Sequence, residues 1–140
     1  MSFTDEETAY LRANPLARFA SLCAGEQPDV VPVALDFDGT RFWVGGPGPD
    51  VLGTRKFRNV ARGRRKVAFV VDDLVSVEPF VARGIRVYGV ADGPVERDGM
   101  MGPGHYLRVT PTLSWSWNLA DPPRPAGETW YATRRTEHHM

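Results

Sequence analysis

Turn-forming residues interrupt this chain so often that its apolar residues fall into short runs, and that spacing rules out most architectures. With 14 Gly and 12 Pro among 140 residues, strand-length runs are separated by turn signals at regular intervals, the pattern of an all-β barrel or sandwich. Residues 16–24 alternate loosely through Phe19, Ser21 and Cys23 as a first strand. Residues 25–28 carry turn chemistry and 29–37 read as a second strand. Asp38-Gly39 is a hairpin signal leading into a third strand at 41–45. Residues 66–71 are near-continuously apolar, as a strand buried on both faces would be. Residues 84–95 alternate as a long fifth strand, and 107–119 supply a last one with a break at Pro111. At the front, Thr4 and Glu7 make a T-x-x-E capping box that opens a helix to about Ala13, stopped before Pro15. Residues 46–50, 98–104 and 122–127 read as loops and 129–140 as a mobile tail. The expectation is one mainly β domain over 1–140, an antiparallel barrel with a helix over one opening. Its core lies within about 4–119, and 120–140 form loop and tail.

A chain of this length supports one real core. Formal charge is zero, so the overall balance calls for neither nucleic acid nor an acidic membrane. The single cysteine, Cys23, excludes an internal disulfide and offers no zinc spacing. No leader pattern or long apolar run is present, which gives the expectation of a soluble cytoplasmic protein.

The charge is unevenly placed. Arg55, Lys56, Arg58, Arg62, Arg64, Arg65 and Lys66 crowd the start of the segment TRKFRNVARGRRKVAFVVDD, residues 54–73. Its first part reads as a short basic helix. Thr54 is positioned to cap it with its hydroxyl, and Phe57, Val60 and Ala61 recur as one buried stripe. Arg55, Lys56, Arg58, Asn59 and Arg62 lie off that stripe, near or beyond the capped end. A helix start carrying Arg and Lys is a place to hold a phosphate; a solvated surface helix accounts for the same pattern equally well.

Other constellations are weaker. His105 reads as part of a glycine loop, and His138 and His139 as solvated tail residues rather than metal ligands. No spacing joins a histidine to a serine and an acid. Asp72-Asp73 offers a carboxylate pair, but Asp commonly closes a turn at a strand end. The run Gly45-Gly46-Pro47-Gly48-Pro49 lacks dinucleotide-fingerprint spacing, and its prolines remove N–H groups that a phosphate would need. Trp115 and Trp117 are two apart and so share a strand face, which suits a flat ring ligand, a subunit seam or plain core packing.

Several of these runs, in this order, resemble one family. Val44-Gly45-Gly46, the T-x-K-x-x-N set Thr54, Lys56 and Asn59, and the VAFVVDD run after it look like the pyridoxamine 5′-phosphate oxidase-like (PPOX class) split β-barrel proteins. The likeness is to the actinobacterial F420-dependent branch in particular. Asp29-Val30-Val31-Pro32-Val33, RGIRVYGVA at 83–91 and LRVTP…SWSWNL at 107–119 extend it over nearly all of residues 4–119. The resemblance implies an FMN-binding-protein-like split β-barrel homodimer with cofactor sites at the subunit interface. It places the cofactor phosphate at Lys56 and Asn59, with Thr54 and Arg55 beside them. It lays the ring along Val31, Pro32 and Val33, and counts Trp117 with the cofactor contacts. The oxidases' C-terminal substrate-phosphate residues have no counterpart in the short tail, which turns the expectation away from pyridoxamine phosphate.

The resemblance further implies a deazaflavin (coenzyme F420)-dependent oxidoreductase passing hydride between cofactor and an unsaturated small molecule. The cofactor carries the chemistry, so no catalytic side chain and no metal are expected. Two alternatives stand beside it: an FMN-binding flavoprotein of the same fold, and a non-catalytic cofactor- or ligand-binding protein. The expected partners are a small-molecule substrate and a second copy of the chain, with no nucleic acid and no membrane.

Overall fold

The structure is a computed structural model that describes residues 2–139. Helix α1 (Asp5–Ala13) starts at the expected box: the Glu7 amide donates to Thr4 Oγ1 at 3.0 Å and the Thr4 amide to Glu7 Oε1 at 2.9 Å. Eight antiparallel strands complete the fold: β1 (Leu16–Leu22), β2 (Pro28–Ala34), β3 (Asp36–Phe37), β4 (Phe42–Gly46), β5 (Lys66–Ser76), β6 (Val81–Gly99), β7 (Gly102–Trp117) and β8 (Arg134–Glu137). They form one curved sheet in the order β2-β1-β5-β6-β7-β4-β3, with β8 on β7. The long strand β7 pairs along one edge with β6. Along its other edge it serves β4 with residues 105–109 and β8 with residues 113–116. Where β4 leaves β7 the backbones touch so closely that a Cβ on Gly104 would meet the Gly46 carbonyl oxygen. Rings and aliphatic chains from the inner faces, among them Phe19, Phe42, Phe69, Val87 and Leu107, fill the barrel, and α1 adds Leu11. No helix among the described residues is long and apolar enough to cross a membrane.

Between β4 and β5 lies helix α2 (Arg55–Ala61), the basic helix. Its end is fixed by the chain itself. The Gly63 amide donates to the Val60 carbonyl and the Arg64 amide to the Asn59 carbonyl, both at 3.0 Å, with Gly63 at φ +90°. That paired closure needs a left-handed residue, which glycine supplies without strain.

The structure corrects several expectations. Thr54 begins α2 but does not cap it with its hydroxyl, which donates instead to the Val51 carbonyl at 2.8 Å in the preceding turn. Ala61 is exposed, and Asn59, expected off the stripe, is buried beside Phe57 and Val60. The helix is short and packs against β6 and β1, so those strands rather than a two-turn stripe decide what it buries. Strand β5 is buried on one face only: Val67, Phe69 and Val71 point in, whereas Ala68 and Val70 are half-covered. Residues 98–104 are not a loop but the tip of the β6–β7 hairpin, where Gly99 pairs with Gly102; His105 is therefore a strand residue, paired with Gly46 and Glu96. Asp72 and Asp73 do not close a turn, because β5 runs on to Ser76. Asp72 takes Arg18 at 2.6 Å, and Asp73 accepts from Tyr10 Oη at 2.6 Å and Arg83 Nε at 2.8 Å. The tail is not mobile where β8 docks on β7. His138, expected in solvent, is buried with a ring nitrogen 2.8 Å from Ser114 Oγ.

Candidate functional site

The start of α2 and the neighbouring strand β2 enclose an open cleft of about 480 Å³, lined by Asp29, Val31 and Pro32 from β2 and by Gly53, Thr54, Arg55, Lys56 and Arg58. Five of the expected cofactor contacts thus come together: Val31, Pro32, Thr54, Arg55 and Lys56. Sequence position does not suggest this, since more than twenty residues separate the two groups. The sheet brings them close because β2 is its outermost strand and α2 packs on β1 beside it.

Three expected contacts lie elsewhere. Val33 turns its side chain into the core. Asn59 is 4% exposed and donates through Nδ2 to Ser21 Oγ at 2.9 Å; it borders a second depression rather than the cleft. Trp117, at the far end of β7, borders a depression with Thr4, Glu7 and Arg134.

In the cleft three cations face one carboxylate. Arg55 reaches Asp29 only loosely, at 3.8 Å, and its side chain remains 67% exposed. Lys56 is half-buried, and burial pulls its ammonium below the usual lysine range, an effect that nearby Asp29 offsets only in part. A desolvated cation with too little counter-charge is what an incoming anion would stabilise. Side chains carry this charge, since a helix of seven residues adds little field of its own. On the other side of Arg55 and Arg58 lies a smaller depression of about 350 Å³, where Arg62 and Arg64 join them around Cys23 and Asn59.

Sequence reading overlooked Asp29 as the counter-charge. Its position as the first residue of the DVVPV run, next to the expected ring contacts, was the signal that could have found it. A groove of about 520 Å³ on the outer face of β1, β5 and β6 is slightly larger than the cleft. It is lined by Ala20, Leu22, Ala68, Tyr88 and Val90 with only Lys66 charged, so it offers apolar surface rather than chemistry. His105 sits apart from the cleft, with Nε2 3.6 Å from Glu96 Oε1. Trp115 packs edge-on against Tyr88 at 4.9 Å with the Arg86 guanidinium 4.1 Å over its ring, an outward-facing cluster on the same side as the apolar groove. Among the described residues no group of three or more His, Cys, Asp or Glu side chains is placed to hold a metal.

No protein-family model matches the chain. A curated relative, the 5a,11a-dehydrotetracycline/5a,11a-dehydrooxytetracycline reductase of Streptomyces rimosus, is 43% identical over 91 residues, which are 65% of this chain and 63% of the relative. The chain therefore spans less than two thirds of that protein. Solved structures share the fold. An F420 reductase superposes with a TM-score of 0.58 at 16% identity, over 80% of this chain and 98% of its own. An FAD-binding protein from Mesorhizobium loti gives 0.57 at 16%, over 81% and 92%. A pyridoxamine 5′-phosphate oxidase candidate from Corynebacterium glutamicum gives 0.57 at 15%, over 81% and 93%. A haem-binding protein from Mycobacterium smegmatis gives 0.64 at 12%, over 98% and 59%. At such identities the likeness is one of fold, and at that level the reading from the sequence holds: the chain folds as a mainly antiparallel split β-barrel, as these proteins do.

Proposed function

We propose that this chain is a reductase that binds a flavin-type cofactor, coenzyme F420 in the first instance, with the cofactor's phosphate in the cleft between β2 and α2. The observation that carries the reading is that cleft: Lys56, Arg55 and Arg58 around one carboxylate, beside the apolar wall of Val31 and Pro32. The residues fit the group. An anion would complete the partly desolvated Lys56, and a flat ring could lie against β2, where Pro32 has no N–H to leave unpaired. The Streptomyces relative's name and the F420 reductase of the same fold support the direction of the chemistry.

When bound, such a cofactor supplies hydride. Lys56 and Arg55 would hold the anionic end and so fix where the ring falls. Val31 and Pro32 would keep water from the face they cover. That division leaves the chemistry to the cofactor and gives these residues binding and orientation. The acceptor we propose is the unsaturated carbon framework of a polycyclic small molecule of the dehydrotetracycline type. A second copy of the chain would close the open side of the cleft and cover the half-buried Ala68 and Val70 on the outer face of β5.

Anaerobic titration with F420, FMN and FAD, followed by fluorescence, tests the cofactor. Tight binding of F420 alone, and oxidation of reduced F420 by a dehydrotetracycline, is the expected result. Binding of FMN with none of F420 would replace the cofactor. The haem-binding neighbour favours a non-catalytic alternative, which a Soret shift on haem addition without turnover of any reduced cofactor would establish.

A further inference from the structure

Seven polar or charged side chains are buried among the described residues, and five of them lie along one seam: Glu7, Ser114, Ser116, Thr136 and His138. The seam joins α1 to β8. Glu7, 1% exposed, accepts from Ser116 Oγ at 2.6 Å through one oxygen and from Arg134 at 2.9 Å through the other. Arg134 also donates to Thr136 Oγ1 at 2.6 Å. Just beyond β8, the His138 amide donates to the Thr112 carbonyl at 3.0 Å, its ring meets Ser114 Oγ at 2.8 Å, and the Phe3 ring lies 4.3 Å from it, centroid to centroid.

Strand β8 reads Arg-Arg-Thr-Glu, and of its side chains only Thr136 is buried. A strand with no apolar side chain gains almost nothing from the hydrophobic effect. It stays docked through its ladder bonds, the Glu7–Arg134 pair and the His138–Ser114 contact. We propose that β8 is a detachable strap that His138 holds while neutral and releases when it takes a proton, baring the edge of β7 at residues 113–116. This inference is independent of the cofactor reading.

The surroundings of His138 set the direction. A charged imidazole there would lie against Phe3, out of water. Of the charged groups that face it among the described residues, only Glu7, from α1, opposes the charge; Arg134 and His139 repel it. Burial therefore holds this histidine below its usual value. Docking is accordingly strongest above about pH 6.5, the ordinary histidine value, and weakens as the pH falls from there toward the lower value of the docked state. Across that window opening takes up one proton, so the open fraction grows by at most about tenfold per pH unit.

Hydrogen exchange from pH 7.5 to 5, corrected for intrinsic rates, tests this. Wild-type amides of Thr136 and His138, which face β7, should lose protection on acidification while residues 67–71 of β5 keep theirs. The variant His138→Gln, which cannot titrate, should show flat protection. The same pH dependence in the variant, or none in the wild type, overturns the proposal. If the variant leaves the strap undocked at every pH, an NMR titration of the wild type decides: the His138 ring and the strap amides must share one midpoint, and separate midpoints refute the coupling.

Discussion

Replacing Lys56 by Met keeps the apolar stem and removes only the charge, so Lys56→Met separates two consequences of the same burial. In the cleft the ammonium is half-desolvated and held below the usual lysine range. At neutral pH the folded protein therefore carries a small penalty for keeping it charged, and the variant should melt at the same temperature or slightly higher. Binding runs the other way. A charge-assisted hydrogen bond to phosphate is worth about 1.5–3 kcal/mol, which is roughly a 10- to 150-fold rise in dissociation constant. The pH dependence carries the same signature. Wild-type affinity for a phosphate-bearing cofactor should fall with rising pH from below the ordinary lysine value, because this lysine gives up its proton early, and the variant should lack that limb. Its binding should also depend less on salt, since one cation fewer faces the ligand. The assays are fluorescence titration with F420 from pH 7 to 10 and a thermal melt of the apoprotein. An unchanged dissociation constant refutes the placement of the phosphate, and a clear drop in melting temperature refutes the account of the electrostatics.

The variant Asp29→Asn removes the one carboxylate of the cleft and should tighten binding of the same cofactor severalfold, measured by the same titration; weaker binding would mean that Asp29 orients the cations rather than opposing the ligand. Glu7→Ala strips the acceptor from Ser116, Arg134 and the Thr4 amide and should cost about 3 kcal/mol, the low end for a broken buried pair because Arg134 is partly exposed. A melting temperature lowered by roughly 10 °C is the expected reading, and an unchanged one would contradict the seam. Light scattering should give twice the 15.6 kDa chain mass, and Ala68→Asp on the outer face of β5 should reduce it to one; a monomeric wild type removes the second copy from the site.

The reading from sequence succeeded where local chemistry decides. The capping box at Thr4 and Glu7, the Asp38-Gly39 turn and the alternation of β6 are each settled within a few residues, and the order of motifs carried the fold. It failed where the outcome depends on what a segment lies against. Asn59 looked like a surface residue by helical period, but β1 supplies Ser21 beneath it. The glycines of 98–104 suggested a loop, yet they let β6 and β7 continue to a tight tip. His138 looked solvated because nothing in Arg-Arg-Thr-Glu signals that a buried carboxylate waits 127 residues earlier in the chain. In the cleft, Val31, Pro32 and Lys56 were legible; Trp117 was placed with them by motif, and the sheet carries it to the other end of β7.

That separation between Glu7 and Arg134 also affects how the protein is made. Ribosomes deliver roughly 5–20 residues per second, so the 127 intervening residues take roughly 6–25 s to appear. Throughout that interval Glu7 lacks its Arg134 partner, and β7, once made, has β6 on one edge but nothing on the other at residues 113–116. Local pairings such as β1–β2 can form early, but docking of β8 must wait until residues 134–137 have been made. Contacts of such long range slow folding, and here they leave the nascent molecule with an open strand edge until β8 has been made.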